Sequence, residues 1–96
     1  MQPPIDIEKI VLDFHNTYTE IGRLQRGLPS KKGKKDYSEL ENRIILKARE
    51  LKNQTHIFLQ KLRFSDPKNP MLSQVDNLHF GANQIEQDPY KRFIAI

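Results

Sequence analysis

Apolar residues recur in steps of three and four along two long stretches of the chain. Ile7, Ile10, Val11, Phe14, Tyr18 and Ile21 form the first series. That rhythm draws one continuous stripe down a helix. The spacing predicts a helix over about residues 6–26, with Leu24 and Leu28 at its far edge. Asp6 can accept from the free amides of the first turn, and Pro3 and Pro4 cannot lie deep inside. Gly27 and Pro29 end it. The acids come early and Arg23 and Arg26 come late, an order that suits the helix dipole.

The second series runs Tyr37, Leu40, Ile44, Ala48, Leu51, Thr55, Phe58, Leu59 and Leu62. It predicts a longer helix over about residues 38–64, uninterrupted by proline or glycine. Ser38 followed by Glu41 reads as a capping box, in which the glutamate reaches back to the helix start. A thinner stripe of Leu46, Ile57 and Phe64 projects opposite the main face. Single exposed apolar residues need no explanation, but three at helical spacing do. Either they pack within the chain, with Ile57 under the C-terminal segment, or they meet another subunit.

Asn69-Pro70 resembles an N-cap followed by proline at the first helical position. Met71 or Leu72, Val75, Leu78 and His79 would then line a short helix over about residues 70–80, ending at Gly81. The remaining stretch, residues 81–96, reads as an apolar tail. Asp88-Pro89 could open a last helical turn, or the end could be an extended arm. Phe93, Ile94 and Ile96 carry enough apolar area to gain from burial, on this chain's core or on a neighbour. The expected architecture is all-α in a single domain. Two long helices form an antiparallel hairpin, joined by a basic loop over about residues 27–37, with the short helix and the tail after them.

Composition sharpens this picture. The chain has 96 residues, of which 36% are hydrophobic, and no tryptophan. So lean a core is expected to draw support from a partner or a second copy. Absence of cysteine removes disulfides, thiol catalysis and the common structural zinc sites. The opening residues contain no basic region followed by an apolar run, and no window approaches eighteen consecutive apolar residues. A cytoplasmic protein without membrane attachment is therefore expected.

The net charge is +4, and its placement matters more than its size. Residues 23–35 hold Arg23, Arg26, Lys31, Lys32, Lys34 and Lys35 and no acid, so more than the whole excess sits at one connection. Six cations beside Gly33 could hold phosphates of a nucleic acid or speed capture of an acidic protein. They could equally be a solvated turn. The run is no P-loop, since it lacks the first glycine and the Gly-Lys-Ser/Thr ending. Nor does the third helix offer the side chains that read base edges.

His15, His56 and His79 are scattered, and no histidine pair falls at one-turn spacing. No metal or cofactor is expected. Arg49 and His56, with six residues between them, are similar to the Arg-x4–6-His pattern of the HEPN ribonucleases, which are helical and often dimeric. That resemblance covers eight residues. It implies that the pair would bind and activate RNA phosphate across a dimer interface. No paired carboxylates and no nucleophile site accompany it. The expectation is a small non-enzymatic regulatory or adaptor protein that contacts protein partners and self-associates. Leu46, Ile57, Phe64, Phe93, Ile94 and Ile96 would be its apolar anchors, and Arg23, Arg26 and the four lysines its contacts to an acidic partner or to phosphate.

Overall fold

The computed structural model describes residues 6–28 and 38–91. Among these residues there are three α-helices and no strand: α1 (Ile7–Gln25), α2 (Ser38–Ser65) and α3 (Met71–Gln87). The all-α reading holds. The first helix starts as its sequence requires, with the Asp6 carboxylate accepting from the Lys9 amide at 3.1 Å.

One core joins the three helices. Val11, Phe14 and Ile21 of α1 meet Ile44, Ala48, Leu51 and Leu59 of α2 and Val75, Leu78, Ala82 and Ile85 of α3. Every one of them is buried, and the α2 residues belong to the main face that periodicity picked out. Phe14 and Phe58 pack edge to face, with ring centroids 5.6 Å apart. Such a pair adds about 0.5–1.5 kcal/mol beyond its buried area. Burial of the Tyr18 phenol pushes its pKa up to about 12.

The α1–α2 contacts fall in descending order along α1. Gly27 lies beside Leu40, Glu20 pairs with Lys47, and Phe14 meets Phe58. Helices α2 and α3 run antiparallel. Glu41 accepts from the Tyr90 hydroxyl at 2.7 Å near one end, and Arg63 meets Asp76 at the other. Gln25, buried at the end of α1, donates through Nε2 to the carbonyls of Pro89 and Lys91 at 3.0 and 2.7 Å. That amide pins the chain leaving α3 to the end of α1.

The third helix differs from its expected extent. It does not stop at Gly81 but continues to Gln87, and Gly81, Ala82 and Ile85 are all buried within it. A glycine ends a helix when its backbone turns left-handed, and no described glycine has positive φ. Glycine inside a helix costs about 1 kcal/mol relative to alanine. Burying the side chain of Ile85 is worth about 1.5–3 kcal/mol, so the helix gains by continuing. Residues 81–87 are therefore helix, not tail. Asp88 ends the helix, and its carboxylate accepts from the Tyr90 amide at 3.0 Å to form a turn. At the other end Asn69 accepts from the Met71 amide at 2.8 Å, while Pro70 rather than Asn69 occupies the cap position.

Candidate functional site

Both α1 and α3 lie on one side of α2, so the far side of α2 remains exposed. At 100° per residue, Leu46, Ile57 and Phe64 fall within about 20° of one line along that side. Their relative exposures are 61%, 53% and 93%. Steps along the helix axis are about 16 Å from Leu46 to Ile57 and about 10 Å from Ile57 to Phe64. Glu50, Asn53 and Gln60 stand between them, all exposed. Ile57 is half exposed, and residues 92–96 of the C-terminal segment expected over it lie outside the described residues.

Two rows of side chains flank this line. Toward α3 come Arg49, His56 and Arg63; toward α1 come Lys47, Gln54 and Lys61. Neither row contains an acid, but Glu50 on the line between them accepts from Gln54 at 3.5 Å. Three of these cations also reach an acid on a neighbouring helix. Lys47 meets Glu20 at 3.0 Å, Arg49 meets Glu86 at 3.0 Å, and Arg63 meets Asp76 at 3.5 Å. The Lys47–Glu20 and Arg63–Asp76 pairs are exposed on both sides and contribute about 0–1 kcal/mol each, so they do not commit their cations, whereas the Glu86 that takes Arg49 is mostly enclosed.

A more enclosed polar seam lies between α2 and α3. Glu86, with its side chain only 16% exposed, takes Arg49 on Oε1 and Lys52 on Oε2. The bond from Lys52, helped by Arg49, holds its carboxyl below the usual range, although burial alone would raise it. One turn along, Thr55 is fully buried, and its hydroxyl donates to the carbonyls of Leu51 and Lys52. His79 Nδ1 lies 3.1 Å from the Lys52 carbonyl and 3.2 Å from Thr55 Oγ1. A carbonyl only accepts, so Nδ1 carries the proton and Nε2 is the acceptor of the neutral ring. The His56 and His79 rings sit 5.7 Å apart, tilted by 32°.

The structure thus places Arg49 and His56 along one seam, but gives each a neighbour that the spacing alone did not reveal. Glu86 holds the guanidinium, and His79 lies beside the imidazole. Among the described residues, no group of three or more His, Asp or Glu side chains is placed to share a metal ion. Arg23 and Arg26 are exposed at the end of α1. Lys31, Lys32, Lys34 and Lys35 lie outside the described residues, as do Phe93, Ile94 and Ile96. Sequence reasoning missed Lys52, Glu86 and Gln25, and placed His79 on the lining side of the third helix without finding its partners, Thr55 and the Lys52 carbonyl. The seven-residue step from His79 to Glu86 matches that from Arg49 to His56 and was the available signal.

A separate apolar groove of about 400 Å³ opens between the start of α1 and the end of α2, lined by Ile7, Ile10, Phe58, Lys61, Leu62 and Ser65. No described helix is long and apolar enough to cross a membrane. No protein-family model, curated protein or solved structure matches the chain.

Proposed function

We propose that this chain is a small non-enzymatic adaptor or regulatory protein that works by contacting another protein through the outward side of α2. The carrying observation is the line of Leu46, Ile57 and Phe64, exposed on a helix whose opposite side is packed. Buried anchors of this kind supply most of an interface's energy. An antiparallel hairpin of α1 and α2 presents that line, and the descending order of contacts from Gly27–Leu40 to Phe14–Phe58 supports it. Phe93, Ile94 and Ile96 would add apolar area to the same contact, within a cytoplasmic setting. Glu86 already engages Arg49, which weakens the ribonuclease reading of the Arg49–His56 pair.

The test uses the protein in its native assembly. Chains carrying Ile57→Asp or Phe64→Asp should sediment as the free protein, while the parent sediments in a larger complex. Each variant should melt within a few degrees of the parent, because neither side chain is in the core. A complex that survives both substitutions sinks this reading.

A second reading rests on Arg23 and Arg26, both exposed where α1 delivers the chain to its lysine run. There the cations would hold nucleic-acid phosphates without reading sequence. Gel-shift then should show binding that falls by orders of magnitude between about 50 and 200 mM salt. Serine at Lys31, Lys32, Lys34 and Lys35 should abolish it. Absence of any shift at low salt removes nucleic acid from consideration.

A further inference from the structure

The two flanking rows say what kind of partner fits the line on α2. Arg49, His56 and Arg63 border it on one side, Lys47, Gln54 and Lys61 on the other, and Arg43 is exposed at its start. Positions 46, 50, 53, 57, 60 and 64 follow in steps of four and three, the spacing at which one helix faces another, with apolar residues at 46, 57 and 64 and polar ones at 50, 53 and 60. In that rhythm the flanking rows occupy the positions whose charges choose the partner.

A second copy of this chain is a poor occupant. Laid antiparallel with Leu46 on the copy's Phe64, it sets Arg49 against Arg63 and Lys47 against Lys61. Laid parallel, it still brings rows without acids against rows without acids. Like charges facing across an interface cost free energy in either direction. A lipid surface fits poorly as well. Glu50, Asn53 and Gln60 interrupt the apolar line, and insertion would strip them of water without offering partners. Side chains of a protein helix can hydrogen-bond them.

We propose that the outward face of α2 is the docking site for an acidic amphipathic helix of a partner protein. The partner lays its apolar residues on Leu46, Ile57 and Phe64 and its carboxylates against the two cationic rows. The proposal rests on the protein-contact reading above and adds the chemistry of the partner. The intrachain acids Glu20 and Asp76 are themselves exposed, so a partner's carboxylates can share Lys47 and Arg63 with them.

The test uses the full chain and two designed helical peptides of about four heptads, with leucine at the seam positions. One carries glutamate at the flanking positions, the other lysine. Binding is read by fluorescence anisotropy. The glutamate peptide should bind at least about 10-fold tighter than the lysine peptide and weaken as salt rises. Phe64→Ala should weaken it by about 10-fold, as loss of an interface anchor does. Arg43→Glu combined with Lys61→Glu should weaken it comparably, with the helical circular-dichroism signal and melting unchanged.

A glutamate peptide that binds no tighter than the lysine peptide overturns the proposal. So does concentration-dependent dimerisation that Ile57→Asp abolishes, which would make a second copy the occupant. Binding to phosphatidylserine-rich vesicles that the glutamate peptide fails to displace overturns it in favour of a membrane. If Ile57→Asp dissolves the native complex while the glutamate peptide fails, only the partner's chemistry is wrong. If the native complex also survives Ile57→Asp, the protein-contact reading falls with it.

Discussion

Leu51→Ala should lower the free energy of unfolding by about 2–5 kcal/mol, while Ile57→Ala on the same helix should shift it by about 0.5 kcal/mol or less. Leu51 is completely buried where α2 meets the core, and Ile57 is 53% exposed on the opposite side. Truncating Leu51 removes its transfer free energy and leaves a cavity that close-packed neighbours fill only in part. Truncating Ile57 leaves no cavity, because water already reaches the site. Urea denaturation of both variants measures the contrast. For a chain this small, a loss at the upper end would leave little folded protein at room temperature. Similar losses for the two would mean that Ile57 is covered within the folded chain, and the exposed line would cease to be a surface.

Glu86→Gln should cost about 1–3 kcal/mol at neutral pH, by exchanging charge-assisted bonds for weaker ones beside two cations. Its pH dependence identifies the cause. Lys52 first, and then Arg49, hold the Glu86 carboxyl below its ordinary value of 4.5. A carboxyl with a depressed folded pKa stabilises the fold fully above its unfolded pKa. That contribution is lost as pH falls through the folded value. The gap between parent and variant should therefore be widest at neutral pH, begin to shrink below about 4.5 and close in stronger acid. Denaturation curves at a series of pH values between neutral and acid provide the measurement. A gap that stays constant into acid would mean that the substituted amide disturbs packing, with the ion pairs contributing nothing.

These two residues mark the difference between what was legible and what was not. Leu51 is recognisable as core in the sequence, because it belongs to a series at helical spacing and every member of that series shares a face. Ile44, Ala48, Thr55, Leu59 and Leu62 follow the same rule and are buried as expected. The rule works because a helix converts sequence interval into direction without reference to the rest of the chain. Leu46, Ile57 and Phe64 are legible as a second line for the same reason. Whether another part of the protein covered that line was not legible, since covering depends on where other elements lie.

Glu86 shows the other case. Its partners Arg49 and Lys52 are on another helix, and Arg49 is 37 positions away in the chain. No local interval announces such a pair. His79 meets Thr55 and the Lys52 carbonyl across 24 and 27 positions, again between helices. The error at Gly81 has a related origin. Glycine permits a helix to end, but whether the helix does end depends on what the following residues gain by staying helical. For α3 that gain is the burial of Ala82 and Ile85 against the rest of the core.

The sequence by itself determined the helical class, the inward sides of α1 and α2 and the cationic character of the α1–α2 connection. Each follows from intervals or composition, which a helix reads locally. Only the tertiary structure decided where α3 ends, that Glu86 draws Arg49 and Lys52 together, and that α1 and α3 both settle on one side of α2. Those outcomes depend on energies shared between elements distant in the chain, and such energies exist only once the helices have packed.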